Sequence, residues 1–259
     1  MATLAEPMPM AARRDRFFLI LSLAMIAVIV GGFSLNIVAG RSSFGLPLIY
    51  HVHALVFMGW IAIYLMQTLL VAGGNVAIHR QLGWIALAWV PAMLVMGMAI
   101  TLYSVCHHGG PPFFALPEFL FGNPAGLLCF GGLALAGFSM RKRSDWHRRL
   151  MLCSMAAITG PGFGRLLPVP FMIPWSWFAA ALVAPLIFPL IGAARDWMRS
   201  GRVHPAWLWG IAAMAGSFAV AEALAFTPLG EGIARAVVAG TPGADRPFAA
   251  HWPPAPVNP

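Results

Sequence analysis

The sequence predicts an all-α protein: a polytopic transmembrane helix bundle of about seven spans. Hydrophobic residues make up 60% of the chain and charged residues 9%, proportions outside the range of soluble domains. Apolar runs of about 20 residues recur along the chain, each long enough to cross a bilayer core of roughly 30 Å. These runs do not alternate as barrel strands would, so helices are the expected way to satisfy the backbone in lipid.

Seven apolar runs define the expected spans, and the gaps between them carry the charges. The spans are expected at residues 17–39, 48–72, 82–104, 119–140, 150–168, 175–194 and 207–227. They divide the chain into a cytoplasmic N-terminal segment (1–16), a transmembrane domain (17–227) and an outer tail (228–259) rich in Pro, Gly and Ala. The end of the tail is expected to be weakly ordered.

Lysine and arginine predict the orientation. Twelve of the sixteen basic residues fall in one set of gaps; the other four are Arg41, Arg165, Arg235 and Arg246. Positive charge favours the cytoplasmic side, so the N-terminus is expected in the cytoplasm and the C-terminus outside. The expected location is a bacterial inner (plasma) membrane. The bases do not form a soluble basic face, so lipid rather than nucleic acid is the expected partner.

A short motif occurs twice. His79-Arg-Gln-Leu and His147-Arg-Arg-Leu are each expected to begin a span at the cytoplasmic face. Each follows another span, so residues 48–170 are interpreted as two related hairpins that form a four-helix core. The Gly160-Pro-Gly-Phe-Gly164 sequence is expected to bend the fifth span, because Pro161 cannot donate a backbone hydrogen bond.

Polar residues at similar heights in the outer half of the bilayer predict a ligand pocket. A stripe at helical spacing begins with His53, and Arg165 and Glu222 are expected near the same level, with Asn36 and Asn123 close by. Charged groups in lipid are costly, so Arg165 and Glu222 should pair or line a polar cavity. The predicted pocket residues are His53, Trp60, Tyr64, Gln67, Arg165 and Glu222. The alternative is a structural ion pair beside an interfacial histidine, with Arg165 reaching the headgroups.

Two further groups of residues could bind cofactors. His79 and His147 could supply the axial ligands of a b-type haem, with Arg80 and Arg148 holding its propionates or another anion. Alternatively, these residues only anchor helices at the headgroups. A metal site is the third candidate, because thiol and imidazole groups suit copper or zinc. Its ligands would come from the expected outer loop at 106–118 and the neighbouring span: His51, Cys106, His107 and His108.

Several classes of function are excluded by missing motifs. The sequence contains no phosphate-binding loop, dinucleotide fingerprint or nucleophile elbow. The only lysine, Lys142, lies between spans, which excludes a retinal Schiff base. Whether the protein is an enzyme stays open.

The repeated His-Arg-x-Leu motif carries a resemblance. The chain resembles a broad group of small bacterial multi-pass membrane proteins, and more distantly haem-copper oxidase assembly factors and four-helix membrane b-type cytochromes. The residues that carry it are His53, Trp60, Gln67, His79-Arg80, Leu82-Gly83, His147-Arg148 and Leu150-Met151. The resemblance implies redox or cofactor-linked work in a membrane. The expected cofactor, from the histidines and the bases around them, is haem b or a quinone.

The leading hypothesis is therefore a cofactor- or quinone-associated membrane protein with a respiratory role. One alternative is a non-catalytic accessory or assembly subunit that docks on other membrane subunits. Another is a small-solute transporter, in which the Gly-Pro break of the fifth span would be the unwound element.

Overall fold

Nine helices and two short 3₁₀ turns make up the regular structure of residues 16–252, the part of the chain that the computed structural model describes. All nine are α-helical except for a π-helical stretch, Ala179–Val183, within the seventh. The helices are α1 (Phe17–Val38), α2 (Leu48–Gly73), α3 (Val76–His108), α4 (Leu116–Ser139), α5 (Ser144–Ala157), α6 (Gly160–Leu166), α7 (Ser176–Ser200), α8 (Pro205–Ala225) and α9 (Pro228–Val238). The 3₁₀ turns are Val169–Met172 and Pro242–Asp245. Nearly all of the predicted N-terminal segment and the last seven residues lie outside the described part.

Six of the described helices are long and apolar enough to cross a membrane: α1, α2, α3, α4, α7 and α8. This confirms the prediction of an all-helical, multi-pass membrane protein. We call the end of the bundle at which α2 and α4 begin the outer end. The opposite end, at which α3 and α5 begin, is the inner end.

The fifth predicted span consists of two helices. α5 begins at Ser144, earlier than expected, and α6 follows a break at Ile158 and Thr159. Pro161 explains the break, because its nitrogen has no hydrogen to donate. The two helices still run the length of the bundle: α5 begins beside the end of α4, and Gly164 of α6 lies near the loop between α3 and α4.

α3 is longer than expected, which corrects the extent of the outer loop. The helix continues through Cys106, His107 and His108 and ends at Gly109, whose positive φ of 69° suits glycine. The loop therefore spans residues 109–115 rather than 106–118. The proposed metal ligands of this region lie on a helical turn.

The main core fills the space between the long helices. Its largest fully buried side chains include Trp60 of α2, Phe130 of α4 and Trp207 of α8. The rings of Trp60 and Phe130 meet edge to face, with centroids 5.1 Å apart. The outward faces of the spans carry many exposed apolar side chains, which suits a lipid environment.

The residues after α8 form a cap on the outer end. The α9 helix corresponds to the amphipathic piece expected there, and its Thr227 side chain caps it by accepting a hydrogen bond from the Gly230 N–H. Further along, the Leu116 N–H donates to the Phe248 carbonyl (2.8 Å) and the His251 N–H to the Pro112 carbonyl (2.7 Å). The tail is therefore held against the α3–α4 region at least as far as residue 251.

Candidate functional site

The predicted outer residues His53, Arg165 and Glu222 all lie at the outer end of the bundle. His53 is in the second turn of α2, Arg165 in the last turn of α6 and Glu222 in the last turn of α8. They come from three distant parts of the sequence. The heights estimated from the helical rise were therefore adequate. The helical rise does not give the position of each residue around the bundle axis.

His53 and Arg165 are neighbours. The Arg165 charge acts on the imidazole of His53. The guanidinium carbon lies 4.0 Å from the centre of the Phe33 ring, and the His53 ring centroid lies 4.2 Å from that of Phe57. One donor of Arg165, Nη1–H, bonds the carbonyl of Pro161 at 2.7 Å, inside its own helix.

Two buried nitrogens of this pair have no hydrogen-bond partner among the residues that the structure describes. They are Nδ1 of His53 and Nε of Arg165. A buried polar group without a partner costs about 1–3 kcal/mol. Such atoms in native proteins are usually satisfied by water, an ion or a ligand. Each side chain lies against an aromatic ring, Arg165 against Phe33 and His53 against Phe57, and we call these four residues the outer site.

The expected pairing of Arg165 with Glu222 is not present. The carboxyl of Glu222 instead lies beside that of Glu118, in the first turn of α4, and beside the indole of Trp177, in the first turn of α7. Height along the bundle did not determine which groups meet. Sequence analysis missed both neighbours. An acidic residue next to an apolar span was a usable signal for Glu118, whereas nothing distinguished Trp177 from the other tryptophans.

The remaining residues of the predicted His53 stripe are spread along α2. Trp60 and Tyr64 belong to the hydrophobic core and are 1% and 6% exposed. Gln67 lies further towards the inner end, near the imidazole of His79. The stripe therefore connects the two ends of the bundle and does not line one pocket.

At the inner end, His79 and His147 face each other. Each is the fourth residue of its helix, and their ring centroids are 6.0 Å apart with an angle of 74° between the rings. Nδ1 of His147 lies 2.8 Å from the Gly137 carbonyl, which can only accept, so this nitrogen carries a hydrogen. Nδ1 of His79 and Oε1 of Gln67 are buried without a partner among residues 16–252.

This inner pair fits a metal ion held by two imidazoles. With metal–nitrogen bonds of about 2.0 Å, two imidazoles on opposite sides of one ion would have ring centres roughly 6 Å apart. The bond from His147 to a backbone carbonyl is also the usual second contact of a ligating histidine. Imidazoles are among the groups that ligate haem iron.

The predicted propionate contacts are less well placed. Arg80 is exposed, and the Arg148 guanidinium lies 4.8 Å from the centre of the Phe18 ring on α1. Arg148 therefore contributes to packing at the inner end.

The predicted four-residue metal site is not assembled. In the described part of the chain, no group of three or more His, Cys, Asp or Glu side chains lies close enough to hold a metal ion. The individual side chains have local contacts. His51 Nε2 lies 3.1 Å from the Leu46 carbonyl, the His107 ring stacks on Tyr103, and the Cys106 thiol donates to the Val237 carbonyl at 3.6 Å. His108 is exposed.

A second feature that sequence analysis missed is a buried ion pair near the inner end. Arg149 of α5 donates through Nε and Nη2 to both carboxylate oxygens of Asp196 on α7, at 2.9 and 3.0 Å. The Trp207 indole N–H of α8 donates to the same carboxylate at 2.9 Å. Within the described residues, neither Arg149 nor Asp196 has a buried side-chain nitrogen or oxygen without a partner. The arrangement therefore serves to hold three helices together.

Comparison with known proteins gives no match: no protein-family model, no curated protein and no solved structure matches the chain.

Proposed function

We propose that this protein binds a quinone-like molecule at the outer site and has a redox role in its membrane. The observation that carries the proposal is that the neighbouring side chains of His53 and Arg165 each have a buried nitrogen without a hydrogen-bond partner in the described part of the chain. Arg165 can only donate, and His53 can donate or accept depending on its tautomer. The carbonyl oxygens of a quinone accept hydrogen bonds, and its ring suits the aromatic walls formed by Phe33 and Phe57.

The proposal includes a topology of seven crossings. In it, α5 and α6 together form the crossing that the six long helices lack. Their end-to-end course supports this, because α5 begins at the inner end and Gly164 of α6 approaches Phe114 at the outer end. The distribution of lysine and arginine supports a cytoplasmic N-terminus in a bacterial inner membrane.

Quinone binding should depend on the outer site. We expect a quinone with a short alkyl tail to quench the tryptophan fluorescence of the detergent-solubilised protein in a saturable way. Arg165→Gln and His53→Leu should each weaken binding about ten- to a hundredfold, since a hydrogen bond involving a charged group contributes about 1.5–3 kcal/mol. The measurement is the dissociation constant from the quenching titration.

Arg235→Gln is the matched control for loss of positive charge. Arg235 is an exposed arginine of α9 paired with Glu231, so its replacement should leave the dissociation constant unchanged. An alkane that carries the same tail without the quinone ring controls for partitioning into the micelle. The proposal fails if quenching is not saturable, or if Arg165→Gln and His53→Leu both bind the quinone as tightly as the wild type does.

A haem between His79 and His147 is a second candidate, favoured by the 6.0 Å separation of the rings. Haem iron, when bound, exchanges single electrons, and His147 would be oriented for ligation by the Gly137 carbonyl. Protein purified in mild detergent from cells supplied with haem should then show a Soret band and a reduced α-band. His79→Ala and His147→Ala should each lose both bands, whereas His108→Gln, at the exposed end of α3, should keep them. Wild-type protein without a Soret band would overturn the haem and leave the quinone proposal standing.

A further inference from the structure

Two carboxyl groups meet at the outer end, and no base among residues 16–252 forms an ion pair with them. Glu118 is 8% exposed, and its Oε2 accepts a hydrogen bond from the Ala115 N–H at 3.0 Å. The half-buried Glu222 of α8 lies beside it. One carboxyl oxygen of Glu222, Oε1, is buried without a partner within the described residues.

Trp177 supplies a donor at the same place. It is 6% exposed, and its indole Nε1 is buried without a partner among the described residues, beside Glu222. The ring is held firmly: Phe114 and Phe119 contact it with centroids 5.1 and 6.1 Å away. It also packs on Gly122, where any side chain would collide with the indole. The N–H is therefore held beside Glu222 without a hydrogen bond of standard geometry to any residue in the described part of the chain.

Of the four arginines of the outer end, Arg165 lies over Phe33 beside His53, and Arg235 pairs with Glu231 of its own helix. Within the described residues, no ion pair joins either glutamate to an arginine or a histidine. Two carboxylates placed side by side in an apolar environment repel each other. One proton shared by the two groups removes most of that repulsion.

We propose that Glu118 and Glu222 hold one proton in common and, with Trp177, form a proton-exchange site that binds a hydroxyl group or a water molecule. The unpaired acceptor on Glu222 and the unpaired donor on Trp177 are complementary to a single hydroxyl oxygen, which donates one hydrogen bond and accepts another. During exchange, the carboxylic O–H bond breaks, its electron pair stays on the carboxylate, and the proton forms a new O–H bond on the bound oxygen. In the same step the original O–H bond of the bound hydroxyl breaks, its electron pair stays on that oxygen, and its proton passes to the carboxylate pair, so that one proton replaces the other.

This inference deepens the proposed function without depending on it. Glu118 and Glu222 would hold their shared proton whether or not a quinone binds. Only the identity of the molecule that exchanges the proton rests on the proposed quinone binding. A reduced quinone and a water molecule both present hydroxyl groups. Infrared spectra recorded with and without the reduced form of the short-tailed quinone distinguish them, because the carboxyl band should change on its addition only if the reduced quinone is the bound hydroxyl source.

The first test is an infrared measurement of protonated carboxyl groups at neutral pH. We expect the wild type to show the C=O stretch of a buried carboxylic acid, shifted to lower frequency in D₂O. Glu118→Gln and Glu222→Gln should each remove most of this band, whereas Glu231→Gln, on the exposed face of α9, should leave it intact. Trp177→Phe should retain the band at a changed frequency, because the bound hydroxyl loses its donor. An absent wild-type band, or a band unaffected by both glutamine variants, would overturn the proposal.

The second test needs no variant. A hydrophobic carbodiimide adds to a protonated carboxyl group, whose proton moves to the carbodiimide nitrogen while the carboxylate bonds its central carbon. Mass spectrometry of wild-type protein treated at neutral pH should find the adduct on the peptide containing Glu118 or Glu222 and not on that containing Glu231. Adducts on neither residue would contradict a shared proton. Quinone binding with no carboxyl band would overturn this inference alone, and the reverse result would overturn the proposed function alone.

Discussion

Asp196→Ala is expected to lower the free energy of unfolding by about 3–5 kcal/mol, because it leaves the Arg149 guanidinium buried without its counterion. Both side chains are almost inaccessible, at 8% and 11% exposure. The substitution also removes the acceptor of the Trp207 indole N–H, in the most deeply buried part of α8. We expect a much lower melting temperature in detergent, measured by the change in near-ultraviolet circular dichroism.

Two further variants identify the cause of that loss. Glu231→Ala breaks an exposed pair on α9 and should cost about 0–1 kcal/mol, since water screens such pairs. The double variant Arg149→Met with Asp196→Leu replaces the whole pair with apolar groups. It should be more stable than Asp196→Ala alone, because no buried charge remains. A double variant as unstable as the sum of its two single variants would contradict coupling between the two residues.

The fold was largely predictable because apolar runs determine where a helix can lie in a membrane. The break in the fifth span was also predictable, since Pro161 removes a backbone donor wherever the surrounding helix lies. The meeting of His79 and His147 follows from the same kind of local information. Both residues occupy the first turn of a helix that begins at the inner end, so a short repeated motif was sufficient to place them at one level.

The outer site was only half predictable. Helical rise gives the height of a residue, and His53, Arg165 and Glu222 do lie at one end of the bundle. It does not give the angular order of the helices around the bundle, and that order decides which groups meet. Arg165 of α6 therefore faces His53 of α2, while Glu222 of α8 faces Glu118 of α4.

The buried pair of Arg149 and Asp196 was hidden by its surroundings in the sequence. Arg149 lies among bases that indicate a cytoplasmic helix end, and Asp196 has Arg195 as its immediate neighbour. A charged cluster of this kind is normally interpreted as a solvated boundary. Only the packing of α5 against α7 and α8 shows that one base of the cluster turns inward.

The contact between α1 and α6 depends on two glycines, and its disruption is the second large effect that we expect. A Cβ atom on Gly162 would lie 2.8 Å from the Val28 carbonyl oxygen and 2.9 Å from the Ile29 Cα, both of them backbone atoms of α1. A Cβ on Gly32 would lie 2.5 Å from the Gly162 carbonyl oxygen. Backbone atoms cannot move aside as a flexible side chain can, and small residues of this kind allow membrane helices to approach closely.

Gly162→Ala and Gly32→Ala should therefore each destabilise the protein by about 1–3 kcal/mol, the usual cost of overpacking. Gly31→Ala is the matched control, because a Cβ at this neighbouring position of α1 would meet nothing within 4 Å. It should be neutral or stabilising by up to about 1 kcal/mol, since alanine favours a helix over glycine. Melting temperatures in detergent test whether Gly31→Ala and the other two substitutions change the stability in opposite directions. The helix α6 also carries Arg165 to its place over Phe33. The Gly162→Ala variant should therefore bind the quinone more weakly than the Gly31→Ala variant. Equal affinity and equal stability in the two variants would show that this helix contact does not position the outer site.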